Sequence, residues 1–244
     1  MLSSPERGLS GHPLGGRLAP AGQCEVCRSW SGAALCGECI ACFAAPVTRC
    51  ARCGLALATA QAVCGECLRD PPPYQACVCA VDYAFPWDAL IARFKFNGQV
   101  ELAQVLALQL HRAVQHSAHP LPEWLVPVPL STARLAERGY NQAWQLARQL
   151  ANRLSIAASA ALLQRPVDTA HQADLPLRER RSNLRGAFFI DPRQQARIVQ
   201  RHVALIDDVM TSGATLREAT TTLLRAGARR VDVWVLARTP APRR

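Results

Sequence analysis

Four C-x2-C pairs crowd the first third of this chain: Cys24 and Cys27, Cys36 and Cys39, Cys50 and Cys53, Cys64 and Cys67. A C-x2-C turn sets two sulfurs on one side of a tight loop whose backbone N–H groups point inward, and two such turns close a tetrahedron around Zn²⁺. Four turns make two sites. Taken in chain order, the pairs enclose loops of eight residues (Arg28 to Leu35) and ten residues (Gly54 to Val63). That order is the expected one, with cross-bracing as its alternative.

A disulfide framework is the competing use of so many cysteines, but it needs an oxidising compartment. The Gly-, Pro- and Ser-rich residues 1–22 hold no apolar block of the kind that directs export, so a cytoplasmic protein and zinc are expected. Redox chemistry of the thioredoxin type is disfavoured, since none of the pairs sits at a strand-to-helix junction of a βαβ unit. A segment this short and poor in apolar runs builds little core. Metal would supply most of its folding energy, roughly 10 to 16 kcal/mol per structural site. The expected organisation is a tail over 1–22, a double zinc ribbon over 23–75 and a larger domain over 76–240. Cys42, Cys77 and Cys79 fall outside the pairs and read as small buried side chains.

Within 244 residues, apolar types make up 50% and charged types 19%, which excludes disorder for most of the length. No apolar run reaches the roughly 18 residues a membrane span requires. The net charge of +10 is unevenly placed: six Arg against five acids in residues 1–80 leave +1 there and +9 beyond. Two zinc ions held by eight thiolates would bring the head to about −3 by formal count. Attraction to a polyanion therefore belongs to the second domain.

Beyond the cysteines the pattern becomes α/β. Helices are expected over Glu101–His116, from an Asn141 cap to Leu154, and over a stretch carrying Leu216, Ala219, Thr220, Leu223 and Leu224 that Gly227 ends. Strands are expected over Trp124–Val128, Val203–Ile206 and Val231–Leu236. Strand, helix, strand in that order implies a mostly parallel sheet with helices on both faces.

After Ile206 come Asp207 and Asp208, then Thr211, Ser212, Gly213, Ala214 and Thr215 leading into a helix. Ligands of parallel sheets bind beyond the carboxyl ends of strands. Adjacent carboxylates there need hydroxyl donors or a cation, and a helix N-terminus with hydroxyls favours a phosphate. Diol-binding acids beside a phosphate cradle describe a ribose 5-phosphate site. No G-x-x-x-x-G-K-[ST] is present, so the acids are not partners of a P-loop.

This segment resembles the phosphoribosyl pyrophosphate motif of type I phosphoribosyltransferases, in which acids hold the ribose hydroxyls and the Thr-rich loop holds the 5-phosphate. Three further stretches, together with the cysteine pairs, are similar to the ComF family, also known as GntX-like proteins, over residues 24–240. They are Leu90 to Gly98 with Lys95, Val126 to Gln142 with Arg134 and R-G-Y-N-Q from Arg138, and Thr169 to Phe188 with Gln172, Asn183 and Gly186. Arg134 and Arg138 follow a strand end, where a diphosphate would lie, and guanidinium suits that contact. Arg178, Arg180, Arg181 and Arg185 form a basic run suited to phosphates or simply to solvent. Lys95, Arg180, Arg181 and Arg185 are candidate phosphate or nucleic-acid contacts.

The resemblance implies two Zn²⁺, Mg²⁺ with phosphoribosyl pyrophosphate, and a role in natural transformation on incoming single-stranded DNA, with a helicase and a translocation channel as neighbours. An active phosphoribosyltransferase of unknown acceptor stays open beside it, although no base-recognition segment, general base or N-terminal nucleophile is identifiable. A gluconate-related role has no residue behind it.

Overall fold

The computed structural model describes residues 22–59, 61–166 and 186–241. The chain begins with a short antiparallel pair, β1 (Gly22–Gln23) and β2 (Trp30–Ser31), followed by α1 (Gly37–Phe43) and α2 (Gly65–Arg69). The larger unit runs β3 (Cys77–Asp82), α3 (Trp87–Phe96), α4 (Leu102–His116), β4 (Trp124–Pro127), α5 (Thr132–Arg138), α6 (Gln142–Leu154) and β5 (Ala157–Ala158). It ends with α7 (Pro192–Gln195), β6 (His202–Met210), α8 (Ala214–Arg225) and β7 (Arg230–Arg238).

Five strands form one sheet in the order β3-β7-β6-β4-β5, parallel at every pairing. Alternation along the strands separates two cores. Val78, Leu125, Ile206 and Trp234 pack with α3, α4 and α6, whereas Val126, Leu205 and Val233 pack with α8. The central strand β7 is buried from Val231 to Ala237, as a strand covered on both faces must be.

The helices follow their sequence spacing. In α6, Ala143, Leu146, Ala147 and Leu150 recur at i, i+3, i+4 and i+7 and are all buried. The Asn141 side chain accepts from Trp144 N–H at 3.1 Å, which caps the start of α6. Just before it, Gly139 ends α5 with φ at +75°, a left-handed conformation that glycine adopts without Cβ strain.

Several boundaries differ from the sequence expectation, and β7, expected over Val231–Leu236, runs Arg230–Arg238. The helix expected from Glu101 begins at Leu102, and the strand expected to reach Val128 stops at Pro127. The larger difference is β6, expected to end at Ile206, which stays paired with β7 through Met210 opposite Arg238. Its polar tail reads as a loop, but a strand needs a paired neighbour on only one side, and β7 supplies it past the apolar stretch, where pairing with β4 has ended. Among the described residues no helix is long and apolar enough to cross a membrane.

Candidate functional site

At the head of the chain the eight paired cysteines gather in chain order into two groups, Cys24, Cys27, Cys36, Cys39 and Cys50, Cys53, Cys64, Cys67. Within each group the sulfurs lie within 4.8 Å of one another. Backbone amides converge on them: Cys36 N–H donates to Cys24 Sγ at 3.4 Å and Cys64 N–H to Cys50 Sγ at 3.3 Å. Burial pushes the Cys24 thiol up, but the amides of Cys36, Cys27 and Val26 outweigh it and bring the group down to about 6. At Cys50 burial also raises, and the amides of Cys64, Arg52 and Cys53 again turn the balance downward. Cys39, Cys53 and Cys67 move the other way, raised first by burial, so within each group the thiols are unequal. Four clustered sulfurs with inward amides fit a tetrahedral, thiophilic cation. Cys77 and Cys79 lie outside both groups, buried in β3 on the core face shared with α8, whereas Cys42, expected to be buried as well, is exposed on α1.

The carboxylate pair sits at the carboxyl end of β6. Asp207 Oδ1 accepts the Asp208 N–H at 2.9 Å, and Asp208 is buried. Burial first, then the negative charge of Asp208, push Asp207 up to about 8, while Lys95 pulls the other way. Lys95 belongs to the last turn of α3, and its Nζ lies 3.0 Å from Asp208 Oδ2 with both side chains mostly buried. The sequence candidate for an anion contact is thus placed on the acids. One ammonium faces two carboxyl groups, so ionising both would leave the site short of positive charge; Asp207 keeps its proton to about 8, and a cation arriving with a ligand would favour its release.

Four residues of the R-G-Y-N-Q stretch fix that lysine and its neighbouring strand. The last carbonyls of a helix have no intrahelical donor. Tyr140 Oη donates to Phe94 O, and Gln142 Nε2 donates to Lys95 O at 3.5 Å, so two orphan carbonyls of α3 are met from α6 and its approach. Arg138 Nη1 donates to Gln142 Oε1 at 3.2 Å and its guanidinium lies 5.1 Å from the centre of the Phe96 ring. Asn141 Nδ2 donates to Val128 O at 3.0 Å, tying the same stretch to the end of β4. The two arginines expected on a turn lie on the short helix α5, where Arg134 and Arg138 are both half-buried.

Past Met210 the chain makes the Thr211 to Thr215 turn into α8. Thr211 and Ser212 are exposed, Gly213 and Ala214 buried, Thr215 half-buried. Gly213 has φ at +75°, which lets the backbone reverse into the helix. Ser212 Oγ accepts from Ala214 N–H at 3.4 Å, and the following amides of the first turn are available to an anion. Arg238 holds the turn from behind. Its Nη1 donates to Met210 O at 3.1 Å and to Thr211 O, and its Nε donates to Cys53 O at 3.2 Å. Arg217, in the first turn of α8, donates to Asp70 O at 2.7 Å. The second cysteine group therefore braces both sides of the turn. The first group braces the lysine helix through Glu25 Oε2, 2.8 Å from Arg93 Nη2.

Arg180, Arg181 and Arg185 lie outside the described residues. Tyr140, Gln142, Arg217 and Arg238 were missed as site supports. Tyr140 and Gln142 stand inside a signature whose sequence points only to the arginine contact and the Asn141 cap. Arg217 and Arg238 carried no local signal in an arginine-rich chain.

Residues 135–244 match the phosphoribosyl transferase domain. The DNA utilization protein YhgH of Salmonella typhi is 36% identical over 229 residues, covering 91% of this chain and 99% of that protein. Competence protein F of Haemophilus influenzae is 37% identical over 193 residues, covering 78% of this chain and 84% of that one. Among solved structures, the glutamine phosphoribosylpyrophosphate amidotransferase of B. subtilis aligns with a TM-score of 0.35 and 18% identity, over 57% of this chain and 26% of that one.

Proposed function

The chain belongs to the ComF family of competence and DNA utilization proteins, and on that premise we propose that it serves DNA uptake as a zinc-braced protein that binds phosphoribosyl pyrophosphate and single-stranded DNA. The observation that carries the ligand reading is Asp207 and Asp208 at the end of β6, leading through a Thr-Ser-Gly turn into the N-terminus of α8. The acids accept the ribose 2′ and 3′ hydroxyls. The turn and helix amides take the 5-phosphate.

The charge shortfall at the acids supports Mg²⁺ accompanying the diphosphate, where it would neutralise the phosphate oxygens next to Asp207 and Asp208. Arg138 retains a buried Nε donor with no hydrogen-bond partner among the described residues, which favours it, with Arg134, for the diphosphate end. Lys95 must leave Asp208 or share it when the ligand arrives, because its ammonium stands against the diol acceptor. Structural Zn²⁺ in each cysteine group completes the ligand set.

The case for DNA rests on the relatives' names and on the +9 carried by residues 81–244. The uptake helicase and translocation channel implied by the family would be its neighbours, in the cytoplasm. An active transferase is the second reading, favoured by the matched domain in residues 135–244. Titrating phosphoribosyl pyrophosphate and single-stranded DNA into the protein, each with and without the other, tests the proposal. The expected result is binding of both, and failure of either ligand to bind overturns its half.

A further inference from the structure

Of the sheet's two edge strands, β3 and β5, the free side of β3 faces the cysteine head. Cys77 stands opposite Val233, and Val233 N–H donates to Ala76 O at 2.9 Å. In a parallel ladder this turns the peptide groups of the even-numbered residues toward β7 and those of Cys77, Cys79 and Val81 away from it. The Cys77 amide donates to Ala51 O at 2.8 Å. The amides of Cys79 and Val81 have no acceptor among the described residues.

Here the edge borders a cavity of about 570 Å³, walled by Ala44, Pro46 and Val47 after α1 and by Ala113 of α4. The edge from Cys77 to Val81 runs about 13 Å at ~3.3 Å per residue. Arg112 lends its rim a positive charge beside His116 and His119, and among the described residues no Asp or Glu lines it. Arg49 also lines it, but Asp82 Oδ1 lies 2.6 Å from that guanidinium. Among the described residues the Arg112 guanidinium donates only to the neutral Gln109 Oε1, at 3.4 Å.

Outward amides on an edge strand recruit another strand, and apolar walls on either side select alternate side chains. We propose that this groove docks an extended segment of another protein, which pairs with β3 as a sixth strand and sets an Asp or Glu side chain on Arg112. The chain's own first 21 residues are a poor occupant, with two Arg and one Glu. This reading does not depend on the phosphoribosyl site, which lies at the carboxyl ends of β6 and β4.

The test is a display selection of random heptapeptides on the full-length protein, followed by affinity measurement of the selected peptides in synthetic form. The expected peptides alternate small apolar residues and carry Asp or Glu at a constant place. Arg112→Glu should weaken them at least tenfold and improve binding when that acid is changed to Lys. Ala113→Trp should fill the groove and abolish binding, and N-methylation at alternate peptide amides should cost at least tenfold. Unchanged metal content and melting temperature show that both variants fold. The proposal is overturned if no peptide is enriched, if selected peptides bind both variants as well as the parent, if N-methylation has no effect, or if binding needs only a free C-terminal carboxylate.

Discussion

Lys95 Nζ lies 3.0 Å from Asp208 Oδ2, with little of either side chain in solvent. This pair joins the last turn of α3 to the end of β6 and sets the electrostatics of the site. Its neighbour Asp207 holds a proton far above the usual carboxylate range, for reasons of burial and of the Asp208 charge.

That elevation has a definite pH signature. A carboxyl raised in the folded state keeps its proton while the unfolded chain releases it, so stability falls as pH rises from about 4, the ordinary Asp value. The loss is complete above the folded value of about 8. Asp207→Asn removes this contribution. Relative to the parent, the variant should gain stability steadily from about pH 4 to about pH 8 and then hold level, as urea unfolding across that window would show.

Tyr140 is expected to act through Lys95. Tyr140→Phe deletes one hydrogen bond to Phe94 O, a loss of roughly 0.5 to 1.5 kcal/mol. A double-mutant cycle with Lys95→Met should give a coupling of about 0.5 kcal/mol or more, whereas residues that only pack independently would add. The cycle can be read by denaturant unfolding at pH 7.

The fold was legible in its strongest signals. Four C-x2-C pairs announced two four-sulfur groups, and Asp207 to Thr215 announced a carboxylate pair on a strand followed by a turn into a helix. Asn141 as a cap and Leu154 as an end placed α6. What escaped has physical causes. The Val- and Cys-rich strand β3 is short and adjoins the cysteine head, so its role as a sheet edge was set only by pairing with β7, more than 150 residues away in sequence. The polar tail of β6 concealed a strand that β7 sustains. Contacts such as Tyr140 to Phe94, 46 residues apart, leave no local periodicity to read.

Each cysteine group should hold its metal separately. Purified protein is expected to carry two zinc ions per chain. Cys36→Ser should lose one of them and loosen the Glu25 to Arg93 contact on α3, while Cys64→Ser should lose the other and release the turn that Arg238 ties to Cys53. Elemental analysis with amide exchange of residues 211–215 separates the two variants: protection there should fall only in Cys64→Ser.

Single-stranded DNA should bind chiefly through the larger domain. Changing Arg180, Arg181 and Arg185 together to Ala should weaken binding evenly across sequences and reduce the salt slope by roughly 0.7 per lost phosphate contact. Zinc content should stay at the parent level. Equal DNA affinity of a zinc-loaded 20–75 fragment and the full chain, with the triple variant unaffected, would reverse the assignment.

The most direct measurement is calorimetric titration of phosphoribosyl pyrophosphate with Mg²⁺ into the parent protein and into Asp207→Ala and Asp208→Ala. Each variant removes one acceptor for the ribose diol and leaves the other acid without its matched surroundings. The expected result is saturable binding to the parent and none to either variant, with all three chains retaining zinc and a cooperative melt. Parent-like affinity in both variants would contradict the placement of the ligand at the end of β6.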